Sequence, residues 1–286
     1  MQIAVLAGFT IDRINGRRTV GGPAYYSSLA ALWMGVRPRI YSAVGRDFDH
    51  KWLEPLANMG ADLSSVLFLD GKTTSFEVNY TPTGRILKVE SVMNYSGELA
   101  KLNVSEKAAY VSYTFHEVDQ DSLRSMLRNS VNMVDVQGFS RRMSSSRNVA
   151  NFTPPIDAGL FRYLKLASDD VDNPESFISG LLEGGIHEVV LTRGSHGAVV
   201  HTKRAAYSLR VDQDIKEEHP TGAGDIFGMS YFVSRLTGSA IDQALARATD
   251  SAISAVSSTA FPKDYFKLRE GHDQRVESLR KLVAKL

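Results

Sequence analysis

Apolar residues along this chain follow two rhythms, and the changes between them divide it into regions. Gln2-Ile3-Ala4-Val5-Leu6-Ala7-Gly8 is a short apolar run closed by glycine, the pattern of a strand covered on both faces. Residues 9–20 alternate loosely about Asn15-Gly16, a hairpin signal. Ala24–Met34 predicts a helix, entered through Gly21-Gly22-Pro23 with proline at an early helical position. Arg39–Val44 predicts a second strand, and Phe48–Met59 a helix ended by Gly60. Val66–Leu69, Thr73–Tyr80 and Arg85–Val92 are β-rich, with Pro82-Thr83-Gly84 as a turn. No helix separates these three, so they are expected to be antiparallel and to lie apart from the main sheet. From Ala109 onward strands alternate with helices. The strands are Tyr110–Tyr113, Met133–Val136, Tyr163–Ala167, Glu188–Thr192 and Ala198–His201, and the helices cover 119–128, 174–183, 225–236 and 240–257. Such alternation predicts an α/β fold with a mostly parallel sheet covered on both faces. With no linker or repeat in view, 1–286 is read as a single domain, and 9–20 and 73–92 as one small β lid inserted into it.

Composition narrows the function. The 286 residues are 43% hydrophobic, enough for one large core. Lys plus Arg is 33 against 32 for Asp plus Glu, a net charge of +1. That balance argues against a nucleic-acid or membrane surface, which needs a basic excess on one face. The basic stretch Arg13-Ile14-Asn15-Gly16-Arg17-Arg18 reads as a solvated turn. The chain has no cysteine, which excludes disulfides, thiolate metal sites and cysteine nucleophiles. MQIAVLAGF has neither the charged start nor the long apolar run of a signal peptide, and no segment approaches the roughly 20 apolar residues of a membrane span. The expectation is a soluble, cytoplasmic protein.

Thr221-Gly222-Ala223-Gly224-Asp225-Ile226-Phe227 is the segment richest in chemistry. Ile226, Met229, Val233 and Leu236 form a helical stripe behind it, which places Asp225 in a first turn with backbone N–H donors at the helix start. A helix start of this kind attracts anions. A carboxylate beside it suits a phosphoryl group in transfer, with the carboxylate taking the proton of the attacking hydroxyl. The competing reading is an ordinary helix-start aspartate, since Asp is favoured there. Two nucleotide motifs fail. Gly8-Phe9-Thr10 is not the dinucleotide fingerprint, and Gly71-Lys72-Thr73 lacks the earlier glycine of a P-loop, which would fall at Val66. The seven histidines have no metal-ligand spacing.

Gly21-Gly22 together with Thr221-Gly222-Ala223-Gly224-Asp225 resembles the ribokinase-like (PfkB) family of small-molecule kinases, and the resemblance spans essentially the whole chain. It implies a ribokinase-like three-layer sandwich with a small β lid, and ATP-dependent transfer of the γ-phosphoryl group to an alcohol, with Mg as cofactor. On the matching positions, Asp225 would be the general base and the backbone of Gly222, Ala223 and Gly224 the anion hole. Asp12, Gly21 and Gly22 would bind substrate, though a turn aspartate is a common thing in its own right. Thr192, Gly194 and Gly197, in Leu191-Thr192-Arg193-Gly194-Ser195-His196-Gly197, and Thr221 would line the nucleotide site. Asp135-Val136-Gln137-Gly138-Phe139-Ser140-Arg141 reads as another site-facing strand end, with Arg141 or Arg142 able to meet phosphate.

The chain departs from the pattern at four places. His219 replaces an acidic residue that shapes a monovalent-cation loop in some members, which argues against potassium activation. The family's metal-water motif N-x-x-E is degraded at Ser168-Asp169-Asp170-Val171, so no metal residue is assigned. Met229 stands where small residues are common, and Tyr26 where many members place a sugar-binding Asn. With Tyr25, Phe76 and Tyr80, Tyr26 could offer a flat apolar wall to a nucleobase, or simply pack the lid onto the domain. The first substrate class is therefore a nucleoside phosphorylated at its 5′-hydroxyl. Carbohydrates and cyclitols such as myo-inositol come next, because Gly22-Pro23-Ala24-Tyr25-Tyr26 also resembles inositol-kinase relatives. A non-catalytic ligand sensor is a further reading, and a homodimer through exposed lid edges is possible unless Arg85, Lys88 and Glu90 hold the edges apart.

Overall fold

The computed structural model describes residues 1–81, 84–211, 218 and 220–286. His219, Pro82 and Thr83 lie outside the described residues, as do the side chains of Tyr80 and Arg85. In chain order the elements are β1 (Gln2–Ala7), β2 (Thr10–Ile14), β3 (Arg17–Gly21), α1 (Pro23–Trp33), β4 (Arg37–Gly45), α2 (Glu54–Asn58), β5 (Val66–Leu69), β6 (Ser75–Thr81) and β7 (Gly84–Ser91). Next come α3 (Ser96–Leu99), β8 (Ala108–Ser112), α4 (Gln120–Met126), β9 (Val131–Asp135), α5 (Gln137–Ser140), β10 (Arg141–Met143), β11 (Val149–Asn151), β12 (Tyr163–Ala167) and α6 (Pro174–Gly184). The chain finishes with β13 (Glu188–Thr192), β14 (Ala198–His201), β15 (Ala206–Leu209), α7 (Ala223–Leu236), α8 (Ile241–Val256), α9 (Lys263–Lys267), α10 (His272–Arg280) and β16 (Ala284–Lys285).

The large sheet runs β16-β15-β14-β13-β12-β9-β8-β1-β4-β5. It is parallel from β13 to β5, and β14, β15 and β16 extend it antiparallel. One face packs on α1, α7 and α8 through Leu29, Ile226, Phe232 and Leu245. The other packs on α4 and α6 through Leu123, Ile178 and Leu181. The result is three layers. From β1 the chain winds to β4 and β5, then returns to β8 on the opposite side of β1 and continues outward. The strand ends on either side of that reversal form a crevice, the usual ligand place in such sheets.

Local chemistry explains where helices start. Asp119 accepts from the Ser122 amide (2.7 Å) ahead of α4, and Asn173 accepts from the Ser176 amide (3.1 Å) ahead of α6. Gly222, at φ 83°, opens α7, which begins two residues before the predicted start.

The second sheet runs β3-β2-β6-β7, so the two β-rich pieces at 9–20 and 73–92 do pair with each other. It is mixed rather than antiparallel, because β6 runs parallel to β2. The outer edge of β7 meets the β10–β11 turn: the Val89 amide donates to the Arg147 carbonyl (2.8 Å), and the Arg147 guanidinium donates back to the Val89 and Glu90 carbonyls. Lys88 pairs with Glu77 inside this sheet, and Glu90 with Arg13.

Two expectations are corrected. Val66–Leu69 is not part of the small sheet but the parallel edge partner of β4. The helical crossover before it permits that pairing, and the missing helix after it constrains only the connection to β6. The single helix expected over 48–59 is a 3-10 turn (His50–Leu53) followed by the short α2. Helices α9 and α10 went unpredicted because their apolar signal is sparse; Val276 is the one buried residue of α10. They are held by polar and aromatic contacts instead. Asp250 accepts from Arg275 (2.7 and 3.0 Å) and bonds the His272 ring (2.6 Å), while Trp33 stacks on Tyr265 at 5.2 Å.

Candidate active site

Asp225 lies in the first turn of α7, where the helix meets the ends of β8 and β9. Its Oδ1 accepts from Gln137 Nε2 (3.1 Å), just beyond β9, and from Ser112 Oγ (3.4 Å), at the end of β8. The first helical bond runs from the Ile226 amide to the Gly222 carbonyl (3.0 Å), so the amides of 223 and 224 precede the ladder. Ala223 and Gly224 line a cavity of about 830 Å³.

Charged, polar and apolar residues line this one cavity. Its charged and polar lining includes Lys165, Asp169, Asp170, Gln137 and Arg141. Lys165 is almost fully buried, and its Nζ donates to Asp135 Oδ2 (2.7 Å). A Cβ on Gly224 would stand 3.3 Å from that ammonium. Burial pulls the Lys165 pKa down, but Asp135, with Asp170 and Asp225, outweighs it and holds it above its ordinary value. A protonated lysine therefore sits beneath the helix start and adds to its positive field. Burial, and then Asp135, push the Asp170 carboxyl up to about 6. Its apolar lining includes Phe227, Ala252, Ile253 and Val256. Thr192, Gly194 and Gly197 line the cavity as well, and Thr192 Oγ1 donates to the Leu166 carbonyl (3.3 Å). Gly197, at φ 94°, lies against the Leu209 carbonyl, where a Cβ has no room. Thr221 precedes the helix start, buried, and is not part of the cavity wall.

Asp12, Gly21, Gly22 and Tyr26 gather outside this cavity, with Tyr26 against the start of α7. Asp12 Oδ1 accepts from Thr10 Oγ1 (2.8 Å), and its Oδ2 occupies the space a Cβ on Gly21 would need. Gly22, at φ 86°, lies so close to the β1 exit that a Cβ would stand 2.5 Å from the Gly8 carbonyl oxygen. Tyr26 joins the two sides: its ring lies where a Cβ on Gly222 would be, edge-on to Tyr25 (5.4 Å) and against Phe261 (5.8 Å). It is 4% exposed, and Phe76, packed against Phe115, is 2% exposed. These rings serve the packing, and neither stands open as a flat wall.

Of the two candidate arginines, Arg141 is buried and faces the cavity, while Arg142 is exposed and lies over Phe152. Lys165 and Ser112 were not anticipated. A charge inside the apolar strand Tyr163-Leu164-Lys165-Leu166-Ala167 was the available signal, since lysine is rarely buried unpaired. Among the described residues no helix is long and apolar enough to cross a membrane.

No family model and no curated protein matches the sequence. Solved structures do resemble it. A pyrophosphate-dependent kinase of the ribokinase family, complexed with a pyrophosphate analogue and myo-inositol, aligns at TM-score 0.75 and 16% identity, covering 93% of this chain and 99% of its own. The Methanocaldococcus jannaschii nucleoside kinase, an archaeal member of the ribokinase family, aligns at TM-score 0.73 and 16% identity, covering 97% and 98%. The Burkholderia thailandensis nucleoside kinase in complex with inosine aligns at 0.75 and 15%, covering 96% and 97%. The chain has the ribokinase-like fold.

Proposed function

We propose that this chain is a phosphotransferase that moves the γ-phosphoryl group of ATP to an alcohol of a small polyhydroxylated molecule. The observation that carries it is the meeting of three features at one helix start: Asp225, the 223–224 amides and buried Lys165. In this reading Asp225 takes the proton of the attacking hydroxyl as its oxygen bonds to phosphorus. The helix start and Lys165 stabilise the charge growing on the phosphoryl oxygens, and ADP leaves. Thr221 and the Gly222–Gly224 backbone form the cradle. Asp12 receives acceptor hydroxyls, for which an ionised carboxylate is suited, and Gly21 and Gly22 let the backbone close on the acceptor. The small sheet acts as the lid that keeps water out.

A nucleotide donor is favoured because the cavity lined by Gly224 is about 830 Å³ and also has the apolar lining Phe227, Ala252, Ile253 and Val256, which pyrophosphate alone would not use. Thr192, Gly194 and Gly197 line the same cavity. Mg²⁺ would come with the nucleotide and neutralise phosphate charge. Asp169 and Asp170, which line the same cavity as Gly224, are oxygen donors of the type it takes.

For the acceptor, a carbohydrate or cyclitol ranks ahead of a nucleoside. The case for a stacked base named Tyr26 with Tyr25, Phe76 and Tyr80; the first three rings are buried in packing, and the Tyr80 side chain lies outside the described residues. The neighbours, kinases whose names include myo-inositol, nucleosides and inosine, are alike in fold similarity and do not separate these classes.

ADP release is to be measured with MgATP across nucleosides, pentoses, hexoses and myo-inositol, and orthophosphate release with pyrophosphate as a second donor. Turnover with ATP and a sugar or cyclitol is expected, and Asp225→Asn should lower it by about 10²–10⁴-fold. Turnover with nucleosides alone restores the stacked-base acceptor. Silence across the panel with binding retained replaces the kinase with a sensor.

A further inference from the structure

Gln137 touches Asp225 and Arg141 touches Gln137, neither with a part in the chemistry above. Resting on the reading of Asp225 as the base, we propose that Gln137, held by Arg141, is the positioning residue that sets the Asp225 carboxylate.

Gln137 Nε2 donates to Asp225 Oδ1 at 3.1 Å, and Gln137 Oε1 accepts from Arg141 Nη2 at 3.0 Å. A guanidinium can only donate, so it claims the oxygen end of the amide and turns the NH₂ end toward Asp225. The same NH₂ reaches Ser112 Oγ at 3.4 Å. Carboxylate torsions are broad and roughly two-fold, so a carboxylate without such a clamp samples many orientations.

Arg141 is itself fixed. Its Nη1 donates to the Thr114 carbonyl at 3.2 Å, and its own carbonyl meets the His116 ring. Glu117 holds the same loop by accepting from the Thr114 (2.9 Å) and Phe115 (2.6 Å) amides. Phe115 then packs on Phe76 of β6, with ring centres 6.5 Å apart. A continuous chain of contacts thus runs from the small sheet through loop 114–117, Arg141 and Gln137 to Asp225. The orientation of Asp225 is set by the strand end after β9 and by what lies against the small sheet, not by α7 alone.

Gln137→Leu keeps the side-chain bulk and removes the donor. The expected result is a kcat lowered about 10–100-fold with both KM values within about threefold, as for a misplaced catalytic group. In an Asp225→Asn background the same change should cost nothing further, because there is no base left to set. A loss that multiplies with that of Asp225→Asn overturns the proposal, as does a raised nucleotide KM with unchanged kcat, which would make Gln137 a donor contact. Should Gln137→Leu lose its thermal transition, Gln137→Glu serves instead. It keeps a partner for Arg141 but turns an acceptor toward Asp225, and wild-type turnover in that variant overturns the proposal. Wild-type turnover in Asp225→Asn alone overturns the base reading instead, and is seen separately.

Discussion

The two halves of the crevice are built in opposite ways. The half assigned to the donor is an open cavity of about 830 Å³ whose walls include turns and a helix start, with Gly194, Gly197 and Gly224 bringing backbone to the surface. The half assigned to the acceptor is closed by side chains: Tyr26 against Gly222 and Phe261, Phe76 against Phe115, Asp12 against Gly21. Backbone walls tolerate varied side chains nearby, whereas a packed aromatic wall ties substrate fit to the stability of the core. The donor half should therefore change affinity when altered, and the acceptor half should change folding first.

Three substitutions put that contrast at risk. Tyr26→Ala removes a buried ring between α1 and α7, and should cost roughly 3–5 kcal/mol in denaturant unfolding, the range for buried aromatic truncation. A normal unfolding midpoint with only an altered acceptor KM would return Tyr26 to the role of substrate wall. Gly222→Ala forces a Cβ at φ 83° into the Tyr26 ring, and should cost about 1–3 kcal/mol while also lowering kcat. Its cost should shrink in a Tyr26→Ala background, a coupling that a double-mutant cycle measures. Ala252→Trp, by contrast, adds bulk at the apolar lining of the donor cavity. It should raise the nucleotide KM on the order of tenfold, the factor given by 1.4 kcal/mol, with acceptor KM and unfolding midpoint unchanged. An unchanged nucleotide KM removes that lining from the donor site.

The smallest effect concerns Glu117. Burial raises its pKa above the ordinary 4.5, against the amides of Phe115 and Thr114 and the charge of Arg141, which lower it. The folded chain then holds a proton that the unfolded chain has released, so stability falls as pH climbs from 4.5 through the raised value. Glu117→Gln keeps an oxygen for the two amides and cannot ionise. Its unfolding free energy should lose that decline and exceed wild type above the window; an equal slope in both proteins sinks the assignment.

Legibility in the sequence followed the same divide. The parallel strands were visible because each is an apolar run of β-branched and aliphatic residues, as in Glu188-Val189-Val190-Leu191-Thr192. The glycines of the donor half were visible because positive φ at 194 and 197 demands that residue. Lys165 was not anticipated, since its partner Asp135 lies thirty positions away in the chain and meets it only across neighbouring strands. Tyr26 was noticed, but its meeting with Gly222 depends on how α1 and α7 cross, which no local pattern records. The docking of α10 was hidden for a related reason: it rests on Asp250, Arg275 and His272 rather than on an apolar stripe.

The Arg147 contact with β7 has a consequence for assembly. The small sheet has two edges, and the chain's own β10–β11 turn occupies part of one of them. The other, β3, carries Arg17 and Arg18 at its exposed start. Copies joining edge to edge through this sheet would have only β3 to offer fully, so such an arrangement closes after one pairing and cannot lengthen into a fibre.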